Sequence, residues 1–175
     1  YEMNYCQEFF AREINLNPAV IFQRLNKNTT TPFSSFLKLN HIYAMCASPE
    51  RFIKKLGNQL ISQPIKGTRR RGENKEQDIV LSKELTNSEK DISENVMITD
   101  LVRNDLSITA TKGSVQVKEL CGVYTFEKVH QMITTITSEV DEKVHFSTIL
   151  KSIFPMGSMT GAPKLKAMEL IEEFE

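Results

Sequence analysis

Hydrophobic and polar positions divide this chain into short alternating stretches separated by a few helical ones. Residues 1–14 carry aromatic and apolar side chains without clean periodicity and read as a strand or turn. Asn17-Pro18 is a helix start, with an asparagine cap and a proline in the first turn. Ile21 and Leu25 then form an apolar stripe to about Lys27, and Asn28-Thr29-Thr30-Thr31-Pro32 breaks it. Two strands are predicted around Phe36–Leu39 and Ile42–Cys46, joined near Asn40-His41. Phe52 to Leu56 alternates, Gly57-Asn58 supplies a hairpin turn, and Leu60 to Gln63 leads back. From Arg69 to Asn87 the chain is polar and is predicted to be a mobile surface loop, with a short helical piece around Ile79–Leu85.

Ser88 with Asp91 three residues on is a capping box, and a helix should run to about Asn104. Ile92, Val96, Thr99 and Arg103 lie along one of its stripes, and Glu94, Ile98, Leu101 and Asp105 along the next. Val115–Lys118 alternates as a strand after Gly113. His130–Val140 alternates again and is rich in β-branched residues, which suit a strand. His145–Ile153 is predicted to be a short helix, and Pro163–Phe174 an amphipathic one through Leu165, Met168, Ile171 and Phe174.

Composition adds bounds. The 175 residues suffice for one domain, or a large part of one, with a real core. Apolar content of 40% and charged content of 25% are those of a globular protein. Lys+Arg and Asp+Glu are both 22, so no net field draws in nucleic acid, and an anionic ligand must be caught locally. There is no basic–aromatic interleaving for nucleic acid, no apolar run of membrane-spanning length and no secretory pattern, so a cytoplasmic location is expected. Cys6, Cys46 and Cys121 lack metal-site spacing and read as reduced thiols. Glu175 falls inside a helical pattern with no stop signal, so more chain is expected beyond it.

Candidate chemistry gathers around Pro64-Ile65-Lys66-Gly67-Thr68. The lysine sits between a proline that stiffens its approach and a glycine that lets a ligand near the backbone. The hairpin should return Lys66 towards Glu50 of Ser48-Pro49-Glu50, setting an amine beside a carboxylic acid. Pro49 and Pro64 lack ladder donors, so the register should break there. Glu94 is open to two readings, a surface acid beside an arginine or a metal ligand. His130, at a strand end, is either a structural hydrogen-bond partner or catalytic. Arg69-Arg70-Arg71 either steers an anion towards Lys66 or is a solvated run. The stretch Phe154–Lys164, with two glycines and two hydroxyls before a helix, is either an anion site or a plain connection.

These blocks, with Glu94-Asn95-Val96-Met97-Ile98-Thr99-Asp100-Leu101-Val102-Arg103-Asn104-Asp105, Gly113-Ser114-Val115 and Val129-His130, resemble the chorismate-utilising enzymes along the whole chain and in the same order. That family includes component I of anthranilate synthase, component I of aminodeoxychorismate synthase, and the isochorismate and salicylate synthases. Anthranilate synthases carry Ala where this chain has Lys66, and the aminodeoxychorismate-forming members carry Lys. The resemblance implies an α+β fold of antiparallel sheets packed orthogonally with helices outside, of which this chain would be the N-terminal two-thirds of a single domain. It implies that the Lys66 amine adds to chorismate at C2 as the C4 hydroxyl leaves, with Glu50 as the acid on that hydroxyl and His130 in the active site. Ammonia from a separate glutamine amidotransferase subunit would then displace the lysine. A nucleophilic lysine must be neutral when it attacks, and a poor leaving group needs a proton donor.

The resemblance further implies substrate contacts from Gly67, Thr68, Arg103, Gly161, Ala162 and Lys164, and Mg²⁺ held by Glu94. Ile108 departs from the family pattern, which often has a basic residue there. The remaining third should bring further substrate contacts and a second Mg²⁺ ligand, so this stretch alone is expected to turn over little chorismate.

Overall fold

The computed structural model describes residues 2–4 and 6–174, so Tyr1, Tyr5 and Glu175 of the terminal stretches lie outside the described residues. The chain enters with a two-residue strand, β1 (Glu2–Met3), and among the described residues has no other regular element before Pro18. Two compact units follow, one of them Gln7–Arg51 and the other the residues before Gln7 with those from Phe52 on.

The smaller unit is a helix and a hairpin. Helix α1 (Pro18–Asn28) starts where the Asn17 side chain accepts from the N–H groups of Ala19 and Val20, with Pro18 at the first position that needs no donor. Strands β2 (Phe33–Leu39) and β3 (Ile42–Ser48) pair antiparallel from Phe33↔Ser48 to Leu39↔Ile42. Asn40 takes φ +53° in their turn. Rings of Phe22, Phe36 and Tyr43 stack in series, at centroid distances of 5.4 and 5.9 Å.

The larger unit is a five-stranded antiparallel sheet with helices. Its strands are β4 (Arg51–Leu56), β5 (Gln59–Gln63), β6 (Ile65–Arg70), β7 (Gln116–Thr125) and β8 (Val129–Glu139); helices α2 (Lys75–Thr86) and α3 (Glu89–Ser107) lie between β6 and β7. After β8 come α4 (Phe146–Ile153), α5 (Gly157–Thr160), strand β9 (Gly161–Ala162) and α6 (Lys164–Phe174). β8 is the centre, flanked by β7 on one edge and by β5 and then β6 on the other. Its β-branched run is buried nearly end to end, as a strand covered on both faces should be. Leu60, Ile98, Val102, Leu106, Ile136, Val140, Ile149, Ile153 and Met156 form the core between the sheet, α3 and α4.

One expectation changes. Residues 69–87 are not a loop: β6 runs to Arg70 and α2 occupies Lys75–Thr86. Its signals are the Asn74 cap on Gln77 N–H and the acids Glu76 and Asp78 in its first turn. Leu85 alone is buried along it, so no apolar stripe marks it. Along α3, Asp91, Asn95, Ile98, Thr99, Val102, Asp105 and Leu106 face inward, whereas Val96 and Arg103 are exposed. The helix is nineteen residues long and reaches Ser107. Capping by Ser88, whose Oγ accepts from Asp91 N–H, begins it as the sequence implies.

Candidate functional site

Lys66 sits on a β-bulge. Ile65 faces Ile133 and Thr68 faces Gln131, so three steps along β6 meet two along β8. Just before the bulge Pro64 interrupts the ladder, and its carbonyl accepts from Thr134 N–H at 3.2 Å. The bulge requires its glycine. Gly67 has φ +94°, and a Cβ there would stand 3.0 Å from both Asp91 Cβ and Leu85 Cδ1. Thr68, next along, is exposed.

The bulge is held from behind by α3. Asn95 Nδ2 donates to the carbonyls of Lys66 and Met132, at 3.4 and 3.3 Å, and its Oδ1 accepts from the buried Thr134 hydroxyl. Arg69 Nη2 donates to Asp91 Oδ2 at 2.8 Å. Burial alone would raise the Asp91 carboxyl, but the Ser88 hydroxyl and the Arg69 guanidinium outweigh it and hold it below the usual carboxylate range.

The lysine side chain is partly enclosed. Its Nζ donates to Glu2 Oε1 at 2.6 Å, with about a fifth of each side chain exposed. The other Glu2 oxygen, Oε2, is buried with no hydrogen-bond partner. β1 carries Glu2 there by pairing with β9, Glu2↔Ala162 and Met3↔Gly161. Gly161 adopts φ +137°, and a Cβ on it would fall 2.1 Å from the Glu2 carbonyl oxygen. Gly161 and Ala162, candidates for substrate contact, thus form the strand that places Glu2 against Lys66.

His130 is 1% exposed, opposite Arg69 in the register. Its Nε2 meets Asp78 Oδ1 and its Nδ1 meets Thr125 Oγ1, each at 2.9 Å. Asp78 also receives the Nε and Nη2 of Arg71, at 2.8 and 2.7 Å, and the Gly72 N–H at 2.8 Å. The Arg71 hydrogen bond, the Gly72 N–H and His130 hold the Asp78 carboxyl far below the usual carboxylate range against the opposing effect of burial. Both ring nitrogens of His130 are therefore engaged by protein groups.

Lys164 also has a protein partner. Its Nζ donates to Asp105 Oδ1 at 2.8 Å, while Asp105 Oδ2 accepts from Gly157 N–H at 3.0 Å. That carboxylate ties both ends of the glycine-rich stretch to α3. The stretch contains the one-turn helix α5, and Ser158 Oγ within it is buried without a partner.

Glu94, partly buried, pairs with Lys90 one turn earlier at 3.7 Å. Arg103 is exposed and donates to Asp100 at 2.7 Å, an ion pair on the helix surface. Glu50 belongs to the smaller unit, in a turn where its N–H donates to Ser48 Oγ at 3.3 Å, whereas Lys66 belongs to the larger. Among the described residues no three His, Cys, Asp or Glu side chains come together as a metal set. Glu94 offers one oxygen ligand of the type Mg²⁺ takes. No described helix is long and apolar enough to cross a membrane.

The sequence reading missed Glu2, Asp78, Asp91, Asn95 and Asp105 as site-forming groups. For the three on α3 a signal exists: polar residues at helical spacing inside an otherwise apolar face.

An antiparallel sheet backed by helices agrees with the α+β fold that the blocks imply. A family model described as chorismate binding enzyme matches residues 1–175, and the chain belongs to that family. It is 42% identical over its whole length to aminodeoxychorismate synthase component 1 of Escherichia coli (strain K12), covering 38% of that protein. The corresponding protein of Bacillus subtilis is 34% identical over 94% of the chain, which covers 35% of it. Anthranilate synthase component 1 of Thermus thermophilus is 35% identical over 93% of the chain, again covering 35% of it.

Among solved structures, anthranilate synthase component I from Streptococcus pneumoniae aligns with a TM-score of 0.79 at 27% identity, over 93% of this chain and 35% of that one. The menaquinone-specific isochorismate synthase of Escherichia coli aligns at 0.64 and 20% identity, over 74% of this chain and 29% of that one, which speaks to fold alone. The chain spans less than two-fifths of the length of these curated relatives.

Proposed function

We propose that the protein converts chorismate and ammonia to 4-amino-4-deoxychorismate, the activity of an aminodeoxychorismate synthase component 1, on the route to p-aminobenzoate and folate. The observation that carries this reading is a lysine at position 66 on the glycine bulge, in a chain whose relatives at 41–42% identity bear that name. In it, the neutral Lys66 amine attacks C2, the C4 hydroxyl departs as water with a proton from Glu50, and ammonia at C4 expels the lysine. Gly67 and Thr68 line the approach to the lysine. His130 enters as the residue that fastens α2 to β8 through Asp78.

Ammonia comes from a glutamine amidotransferase subunit, and the work is done in the cytoplasm. Mg²⁺, with Glu94 as a ligand, would neutralise substrate carboxylates when bound.

The test is made on the full protein containing this chain, with chorismate and an ammonium salt. Intact-mass measurement should detect a chorismate-dependent adduct, peptide mapping should place it on Lys66, and Lys66→Ala should abolish it. An active Lys66→Ala protein without any adduct in the parent refutes covalent catalysis. The similarity to anthranilate synthase of Thermus thermophilus favours a second product class, and chromatography of the products separates the two.

A further inference from the structure

We infer that Glu2 is a catalytic proton store: it takes the proton from the Lys66 ammonium, keeps it while lysine is bonded to substrate, and returns it on release. The inference rests on the reading of Lys66 as nucleophile. An amine in contact with a carboxylate is an ammonium at rest, and an ammonium has no lone pair with which to attack. The proton must go somewhere close by. Glu2 Oε1 accepts it from 2.6 Å, and no other acceptor for Nζ appears among the described contacts.

Three further features fit this role. Water has limited access, since each side chain is about four-fifths covered. Glu2 Oε2 is buried without a donor, so only one of the two carboxylate oxygens is hydrogen-bonded, and a carboxylate so incompletely satisfied is costly to keep charged. Moving the proton to Glu2 gives a neutral amine and a neutral acid, which removes that cost. The carboxyl is also rigidly placed, because β1 is clamped by β9 and Gly161 leaves no room for a side chain beneath the Glu2 carbonyl.

Neighbouring charges are committed elsewhere. On the elements packed against β6 and β1, Asp91 pairs with Arg69, Asp78 with Arg71 and His130, and Asp105 with Lys164.

The balance closes. Lys66–NH₃⁺ and Glu2–COO⁻ become Lys66–NH₂ and Glu2–COOH. The amine forms the C2–N bond as the C4–O bond breaks, and the hydroxyl leaves as water with a proton from the acid at Glu50, giving a secondary ammonium on C2. Ammonia forms the C4–N bond, C2–N breaks, and Lys66 leaves as a neutral amine. Glu2 returns its proton to Lys66, the 4-ammonium product departs, and solvent reprotonates Glu50.

The test compares the full parent protein with Glu2→Gln and Glu2→Asp, following adduct formation by quenched-flow intact mass between pH 7 and 10. Glu2→Gln should slow adduct formation at least tenfold at pH 7. The deficit should narrow as the pH rises and hydroxide becomes an alternative proton acceptor, with KM for chorismate within about twofold. Glu2→Asp should recover part of the rate at pH 7. Equal rates in parent and Glu2→Gln across the range overturn the inference, as does a faster Glu2→Gln, which would mean that Glu2 only holds Lys66 charged. So does a deficit independent of pH, the mark of a structural role. No adduct in the parent overturns the covalent reading itself, and this inference with it.

Discussion

Replacing Asn95 with alanine tests whether α3 holds the lysine bulge through a buried polar network. Asn95 and Thr134 are 1% and 0% exposed. The asparagine amide serves two main-chain carbonyls, Lys66 and Met132, and its Oδ1 takes the Thr134 hydroxyl, whose oxygen in turn accepts from Cys121 N–H at 3.0 Å. The two amide contacts are long, so each contributes no more than about 0.5–1 kcal/mol net. The Thr134 hydroxyl, left with no acceptor in a dry interior, adds about 1–2 kcal/mol. Asn95→Ala should therefore cost about 3 kcal/mol, a large part of the roughly 5–15 kcal/mol that holds a domain together.

At about 2–4 °C per kcal/mol for a protein of this size, Tm falls by about 6–12 °C. Urea unfolding by far-UV circular dichroism gives the free energy, and an unchanged slope ensures that the comparison is sound. Thr134→Val isolates the shared bond, because in the double variant neither side is left unpaired. The pair should cost about 1–2 kcal/mol less than the sum of the single changes. Additivity within about 0.5 kcal/mol refutes the network, as does a Tm shift under about 2 °C for Asn95→Ala.

The Asp78 carboxyl is held far below its ordinary value by Arg71, Gly72 N–H and His130, so its stabilisation is complete above about pH 4 and is lost as pH falls towards the lower folded value. Asp78→Asn should lower the urea midpoint at pH 7 and flatten its decline below about pH 4; a decline as steep as the parent's refutes the pairing. Gly161→Ala places a methyl 2.1 Å from the Glu2 carbonyl at φ +137° and should cost at least about 2 kcal/mol by separating β1 from β9; an unchanged melting curve refutes it. Burial pushes the Cys121 thiol up, against a hydrogen bond with Thr134, so iodoacetamide at pH 8 should alkylate exposed Cys46 at least about tenfold faster. Peptide mass spectrometry reads that order, and equal rates would contradict it.

Elements with a strong local signal were legible in the sequence. Asn17-Pro18, Ser88 and the β-branched run of β8 each carry their own instruction, through a cap or a period of two. Helix α2 was legible only in part, as a piece around Ile79–Leu85, because it buries one residue fully and its first turn leans on Asp78 pairing with Arg71 seven residues back and with distant His130. The inward face of α3 was not singled out by the two stripes, because polar Asp91, Asn95, Thr99 and Asp105 share it with Ile98, Val102 and Leu106 and are satisfied there by hydrogen bonds. Of the candidate site, the lysine and its glycine were readable from the motif. Glu2 was not, because a sixty-four-residue separation is closed by a two-residue strand pairing that no periodicity foretells.

The polar stripe of α3 accounts for why distant blocks act as one site. Asp91 reaches Arg69 of β6, Asn95 reaches the Lys66 carbonyl, and Asp105 reaches Gly157 and Lys164 at the two ends of the glycine-rich stretch. These contacts rise along one helix face at steps of four and ten residues, so a single rigid rod sets the bulge and the stretch that leads into β9. β9 in turn sets β1, and β1 sets Glu2 against Lys66. The block from Glu94 to Asp105 thus does its work in the larger unit from its buried face, through Asn95 and Asp105. Its exposed Arg103 spends its charge on Asp100. A surface pair of that kind contributes about 0.3–0.5 kcal/mol at most, whereas breaking a buried tie such as Asp105–Lys164 leaves an unpaired charge behind.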